Sequence, residues 1–156
     1  MNEIIVGVDD SATARATAKR AAAFAANAGK PLHIVMAVPS RKSIDAFRSR
    51  SQHWQLDSIG MADQTLQALA GEMRSSTPVT HTVIIGKPAK ALCSEAARLS
   101  ASLIAVGNKR VQGAARVLGS IAGDVAKHAP CDVLIVHSSS PEPPRPNVNR
   151  TTGAAR

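Results

Sequence analysis

Five short apolar segments recur along the chain, and stretches with a helical period separate them. Three of these segments are nearly continuous runs of aliphatic residues, which are typical of strands buried on both faces of a parallel sheet. Breakers such as glycine, proline and aspartate flank them, as expected of strands. The segments that the pattern predicts as strands are Ile4–Asp9, Leu32–Val38, Val79–Ile85, Leu103–Gly107 and Val133–His137.

Between these segments, apolar residues step by three and four, which predicts helices with one buried face. An alanine-rich block spans 12–28 and is followed by Gly29, a typical residue past a helix end. A second stripe runs over 59–73, a third helix begins at Pro88, and a short fourth ends near Pro130. The alternation of strand and helix predicts a layered α/β domain with a parallel sheet and right-handed crossovers.

Two stretches lack any sustained apolar period. Residues Pro39–Leu56 are polar and mixed, and we predict a long loop, with or without one frayed helical turn, over the carboxyl edge of the sheet. Residues 138–156 hold four of the nine prolines, together with Arg145, Arg150 and Arg156. We predict a disordered basic tail there, which leaves one α/β domain over 1–137.

Composition narrows the class of protein. The 156 residues are 44% hydrophobic but only 2% aromatic, so the core must be aliphatic and closely packed. The chain has no apolar run near the ~20 residues of a membrane helix, and Met1–Ile4 does not resemble a secretion signal. Cys93 and Cys131 form neither a disulfide framework nor a metal motif. We therefore predict a reduced, cytoplasmic protein without a membrane partner.

The net charge of +8 favours anionic partners. The clearest cluster of basic residues along the chain comprises Lys109, Arg110 and Arg116. However, the chain has no run of five basic residues and few aromatic side chains on which bases could stack. The composition therefore favours a small anionic ligand over nucleic acid.

Two predicted strand ends carry residues that suit such a ligand, because open parallel sheets bind ligands outside the carboxyl ends of their strands. Asp9 and Ser11 follow the first strand, and the Asp9 carboxylate could accept a ribose hydroxyl or hold a magnesium ion that bridges phosphates. Gly107 would let the fourth strand turn sharply against a ligand. Gly119 and Ser120, at a helix start, would offer free N–H groups and a hydroxyl to phosphate.

The same residues also have a purely structural interpretation. Ser11 and Ser120 could be N-caps, the glycines could serve turns only, and the basic residues could form a solvated loop. The chain has neither a P-loop nor a G-x-G-x-x-G motif, and its five histidines lack metal-ligand spacing. No nucleophile–base pair is evident, so the residues predict no catalytic group and leave both interpretations open.

Three stretches together resemble the universal stress protein family over about residues 3–137. The opening Ile4–Ser11 is similar to the family's V-G-x-D-G-S start, and Ile85–Ala89 is similar to its strand–G-x-P–helix turn. Three further segments are similar to the family's carboxyl-terminal signature: Leu103–Gly107, Gly119–Ser120 and His128–Val136.

The resemblance implies an open five-stranded parallel sheet of order 3-2-1-4-5 with helices on both faces, a Rossmann-like fold of the adenine nucleotide alpha hydrolase-like type. It also implies a homodimer paired through the last strand, residues 132–137. In the family's ATP-binding branch, the motif G-x2-G-x9-G-[ST] holds phosphates. By resemblance, Asp9 would contact ribose or metal and Val38 would lie near adenine. The whole predicted nucleotide site comprises Asp9, Ser11, Val38, Gly107, Asn108, Lys109, Arg110, Gly119 and Ser120.

The chain departs from this motif. Arg110 stands in place of the second glycine, only eight residues separate it from Gly119, and Asp10 replaces the glycine of the opening turn. The bulky arginine could prevent a triphosphate from approaching the backbone, or its guanidinium could bind phosphate through paired hydrogen bonds.

Three functions remain as hypotheses. The first is a stress-response regulator that binds an adenine nucleotide, ATP or cyclic AMP, with or without magnesium. The second is a dimeric adaptor of the same fold that binds no nucleotide and acts through protein contacts. Slow ATP hydrolysis at a magnesium ion on Asp9 ranks last, because no general base accompanies it.

Overall fold

The computed structural model describes residues 2–40, 52–109 and 118–138, and these form a single α/β unit. Its strands are β1 (Ile4–Val8), β2 (Leu32–Val38), β3 (Val79–Ile85), β4 (Leu103–Lys109) and β5 (Asp132–Ser138). Its helices are α1 (Ala12–Asn27), α2 (Gln52–Met73), α3 (Pro88–Leu99) and α4 (Ser120–His128).

The five strands form one parallel sheet in the order β3-β2-β1-β4-β5. The central strand β1 pairs on both sides, so that Ile4 lies level with Leu32 of β2 and with Leu103 of β4. The predicted fold class and strand order are thereby confirmed. Because β1 and β4 are neighbours, their carboxyl ends lie side by side at one edge of the sheet.

Each face of the sheet carries its own aliphatic core. On one face, α1 and α2 pack on the sheet, and the small side chains of Ala18, Ala21 and Ala25 bring α1 close to the strands. On the other face, α3 and α4 enclose a second core that includes Leu92 and Val125. The near absence of aromatic residues is therefore compensated by short distances between helix and sheet.

The structure corrects two element boundaries. Helix α2 begins at Gln52, so the predicted loop over Pro39–Leu56 is wrong from residue 52 onward. Extending a helix that a packed stripe already anchors adds one hydrogen bond for each residue fixed, so polar residues can continue it without a stripe of their own. Strand β4 also continues two residues beyond the predicted Gly107, because β5 pairs with it as far as Lys109.

The predictions for the tail, for membrane helices and for the two cysteines have separate outcomes. Ser138, placed in the tail, is the last residue of β5, whereas residues 41–51 and 139–156 lie outside the described part of the chain. None of the described helices combines the length and apolar character needed to cross a membrane. Cys93 and Cys131 are both free and partly buried, and burial raises the pKa of each thiol, as expected of structural cysteines.

Two glycines within α2 give a first test of the packing. A Cβ atom at Gly60 or Gly71 would meet nothing within 4 Å. We expect Gly60→Ala and Gly71→Ala each to raise the free energy of unfolding by about 0.5–1 kcal/mol, because alanine has less backbone freedom to lose than glycine. Denaturant unfolding measures the change. Gly29→Ala is the opposing control, since Gly29 has a φ of +63° and alanine there should destabilise the protein.

Candidate functional site

A cleft opens at the carboxyl end of the sheet, at the point where β1 and β4 lie side by side. The segment after β1 enters α1 on one face, whereas α4, which follows β4, packs on the other face. This divergence is the topological switch point at which open α/β sheets bind ligands. The residues that line the cleft are Gly7, Val8, Asp9, Ser11, Thr13, Ala14, Thr17, Val35, Ala37, Pro88, Leu92, Val106, Gly107 and Ile121.

Asp9 and Ser11 shape the mouth of this cleft. The Asp9 Oδ1 atom accepts a hydrogen bond from the backbone N–H of Ser11 at 2.9 Å. The Ser11 hydroxyl oxygen in turn accepts from the backbone N–H of Ala14 at 3.2 Å, so Ser11 is the N-cap of α1. This confirms the structural interpretation of Ser11. Asp9 remains exposed, and a carboxylate accepts several hydrogen bonds, so it keeps capacity for a ligand hydroxyl.

Gly107 lies inside β4 and does not form the sharp turn that the sequence suggested. A Cβ atom at Gly107 would stand 2.6 Å from Thr17 Oγ1, far inside van der Waals contact. Thr17 is fully buried on α1, and its hydroxyl donates to the carbonyl oxygen of Thr13 at 3.0 Å. The glycine is therefore required for the close packing of α1 on β4, in addition to lining the cleft.

Gly7 serves the same purpose on the opposite face of the sheet. A Cβ atom at Gly7 would stand 2.7 Å from Leu92 Cδ1 of α3. Gly7 and Gly107 thus let helices approach the sheet closely from its two sides, directly below the cleft. The floor of the cleft is backbone with no side-chain atoms of its own at these two positions.

The amide of Gly119 is engaged within the protein, so this one of the predicted N–H groups at the start of α4 is not free. The Gly119 N–H donates to Asn108 Oδ1 at 2.9 Å. The Asn108 side chain belongs to β4 and the residue is only 6% exposed. Gly119 is the N-cap of α4, and Ser120 is the first residue inside the helix and is exposed.

The remaining predicted site residues are not among the described residues that line the cleft. Val38 is buried in the core between the sheet and helices α1 and α2, so its side chain does not line the cleft. Lys109 ends β4, but its side chain lies outside the described residues, as do Arg110 and Arg116. The two alternatives for Arg110, blocking phosphate and binding it, stay predictions.

A second hollow adjoins the first and shares Ala37 and Pro88 with it. The first measures about 140 Å³ and the second about 600 Å³, so only the second falls within the 300–1,000 Å³ typical of ligand pockets. Lys87 and Lys90 line the second hollow and bring positive charge to the carboxyl edge of the sheet.

The sequence reasoning missed several lining residues. Thr13 and Thr17 come from the alanine-rich helix, where the pattern indicated only packing. Ile121, in the first turn of α4, is 46% exposed and lines the cleft. Its position two residues after Gly119, a predicted site residue, was the signal that could have identified it.

Within the described part of the chain, Asp9 has no neighbouring set of metal ligands. Among the residues that the structure describes, no three histidine, cysteine, aspartate or glutamate side chains gather closely enough to hold a metal ion. A magnesium ion at Asp9 would therefore need most of its oxygen ligands from a bound phosphate and from water. The magnesium site stays a prediction.

Comparison with known sequences identifies the family of this chain. The model of the universal stress protein family matches residues 1–137. A curated universal stress protein of Mycobacterium tuberculosis strain H37Rv is 27% identical over 150 residues, which cover 92% of this chain and 50% of that protein. The chain thus spans about half the length of the curated relatives it matches.

Solved structures share the fold. A universal stress protein crystallised in complex with cyclic AMP is 26% identical, with a TM-score of 0.68, and the match covers 88% of this chain and 98% of that one. The universal stress protein of Archaeoglobus fulgidus in complex with dAMP is 22% identical, with a TM-score of 0.66 over 86% of this chain and 97% of that one.

Proposed function

We propose that this chain, which belongs to the universal stress protein family, binds an adenine nucleotide at the carboxyl edge of the sheet and acts as a regulator in a stress response. The nucleotide occupies the cleft between β1 and β4 together with the larger hollow that adjoins it at Ala37 and Pro88. One observation carries the proposal: the exposed carboxylate of Asp9 and the bare backbone of Gly107 line the same cleft at the switch point of the sheet. A 26% identical protein of this fold was crystallised with cyclic AMP, which supports the choice of ligand class.

The lining of the site suits the parts of a nucleotide. Apolar side chains, including Val35, Val106 and Leu92, surround a few polar groups, which is the usual make-up of a small-molecule site. In the proposed complex, Asp9 accepts a ribose hydroxyl and the phosphates extend toward Gly119 and Ser120. There the positive end of α4 and its backbone N–H groups favour negative charge.

Titration calorimetry tests this function. We expect the purified protein to bind ATP or cyclic AMP and to bind GTP more weakly. The absence of heat with every adenine nucleotide at millimolar concentration would reject the proposal. Mass spectrometry of small molecules released from gently purified protein identifies which nucleotide it carries.

A single substitution locates the phosphates. A Cβ atom at Gly119 would stand 3.4 Å from Asn108 Oδ1, at the border of ordinary van der Waals contact. We expect Gly119→Val to weaken ATP binding about tenfold, because the valine side chain would take up space beside the N–H groups at the start of α4 that the proposed phosphate approaches. Gly123→Ala, one turn further along α4 in open space, is the matched control and should leave the affinity unchanged. Unchanged affinity in Gly119→Val would place the phosphates elsewhere.

One observation favours the alternative, a dimeric adaptor that binds no nucleotide. The Gly119 amide already has a hydrogen-bond acceptor in Asn108, so the protein does not need a ligand at this position. In this alternative, two copies pair through β5, which in the described sheet has a neighbour on one side only. Light scattering measures the dimer, and a nucleotide retained through purification would reject the alternative.

A further inference from the structure

We propose that Asn108 is a built-in competitor for phosphate, and that its side chain sets how strongly the site discriminates between phosphorylated and unphosphorylated ligands. This inference rests on the proposed nucleotide site and adds a specificity-determining residue to it. The feature behind it is the hydrogen bond from the Gly119 N–H to Asn108 Oδ1, at 2.9 Å.

The carboxamide occupies the position of an anionic oxygen. Gly119 is the N-cap of α4, and no side chain of its own satisfies the first N–H groups of the helix. Asn108, eleven residues earlier in the chain, supplies a neutral oxygen to the first of these groups from the last part of β4. A phosphate oxygen that bound the same N–H would have to displace Oδ1, since both would occupy the same place.

Burial makes this exchange matter for affinity. Asn108 is 6% exposed, so its side chain cannot simply turn into solvent when a ligand arrives. The net contribution of a neutral hydrogen bond is about 0.5–1.5 kcal/mol, which corresponds to about two- to tenfold in affinity. A ligand without phosphate, such as adenosine, leaves the Asn108–Gly119 bond intact and avoids this cost.

The ratio of two affinities isolates the effect. Calorimetry measures the Kd of ATP and of adenosine for the wild type, Asn108→Ala and Asn108→Asp. In Asn108→Ala the competitor is absent, so we expect ATP to gain about two- to tenfold relative to adenosine. In Asn108→Asp the acceptor becomes charged and binds the Gly119 N–H more strongly, so ATP should lose affinity relative to adenosine by at least as much. Asn27→Ala, exposed at the far end of α1, is the matched control.

Each outcome decides the matter. ATP that gains in the alanine variant and loses in the aspartate variant, at constant adenosine affinity, supports the competitor. Should Asn108→Ala fail to fold, the smaller change Asn108→Ser replaces it. Equal changes for ATP and adenosine overturn the inference, because Asn108 would then only support the fold. Weaker ATP binding in Asn108→Ala also overturns it, since Asn108 would then position Gly119 for phosphate. An unchanged ratio defeats this inference alone, whereas no binding of either ligand by any variant defeats the proposed function with it.

Discussion

Gly107→Ala is expected to lower the free energy of unfolding by about 1–3 kcal/mol, the usual cost of forcing an extra carbon into a packed core. The added Cβ atom would stand 2.6 Å from Thr17 Oγ1. Thr17 cannot easily give way, because it is fully buried and its hydroxyl is bonded to the Thr13 carbonyl. Helix α1 must therefore move away from β4. Denaturant unfolding measures the loss, and Gly123→Ala, which meets nothing within 4 Å, should show none.

A double-mutant cycle identifies the cause of the loss. Among the atoms of the described residues, Thr17 Oγ1 alone lies too close to the new carbon, since Thr17 Cβ and Cγ2 would be at an ordinary 3.6 Å. Thr17→Ala should therefore relieve most of the destabilisation by Gly107→Ala, whereas Thr17→Val keeps a branch at the same place and should not. Additive effects of Gly107→Ala and Thr17→Ala would show that the contact is not the origin of the cost.

The rescued variant also separates the two roles of Gly107. In the double variant, α1 can return to its position while the Cβ atom at residue 107 remains at the cleft. If nucleotide affinity returns together with stability, Gly107 serves helix packing alone. If stability returns and affinity does not, the backbone of Gly107 contacts the ligand directly, as the family resemblance implies.

The sequence was sufficient to predict the sheet because its signals are local and redundant. Near-continuous aliphatic runs such as Leu103–Val106 indicated buried parallel strands, and alanine density indicated a helix packed close to them. Once the strand order was set by the family resemblance, the proximity of Asp9 and Gly107 followed from topology. The predicted helix stripe at 59–73 was right but short, because a helix can extend beyond the residues that anchor it.

The details of the site could not be predicted because they depend on contacts between distant segments. No local pattern indicates that Gly107 accommodates Thr17, ninety residues away along the chain, or that Asn108 reaches the Gly119 amide. Both are decided by which side of β4 a residue faces: Gly107 faces α1 and Asn108 faces the side of α4. Residue type therefore offered ligand contact or a turn for Gly107, and the family resemblance offered ligand contact for Asn108, but neither pointed to these packing contacts.

A buried polar cluster at the other end of the sheet depends on distant contacts in the same way. His33 of β2 is 6% exposed, and its Nδ1 atom lies 2.6 Å from Thr80 Oγ1 of β3. Its Nε2 atom lies 3.2 Å from Glu95 Oε1 of α3, within ion-pair distance but without the alignment of a hydrogen bond. Glu95 also accepts from Arg98 Nε at 2.9 Å, and Glu3 adds a further negative charge near His33.

These surroundings shift both titrating groups toward lower pKa. Burial lowers the pKa of His33, and the carboxylates of Glu95 and Glu3 oppose the shift without reversing it. The hydrogen bond from Arg98 is the main cause that lowers the pKa of Glu95. Because both folded-state pKa values lie below those of the unfolded chain, the unfolded state takes up protons first as the pH falls. Stability linked to His33 is lost below its ordinary pKa of 6.5, and stability linked to Glu95 is lost below 4.5.

Glu95→Ala is accordingly expected to destabilise the protein by about 1–3 kcal/mol at pH 7, since it removes the buried acceptor of Arg98 and the carboxylate next to His33. It should also steepen the loss of stability between pH 7 and 5, because the carboxylate that raises the pKa of His33 is gone. His33→Gln should flatten the same interval, and His128→Gln, on an exposed part of α4, should follow the wild type. Thermal melts across that interval measure the slopes. A Glu95→Ala slope shallower than that of the wild type would mean that neutral His33 is not the form that the folded protein prefers.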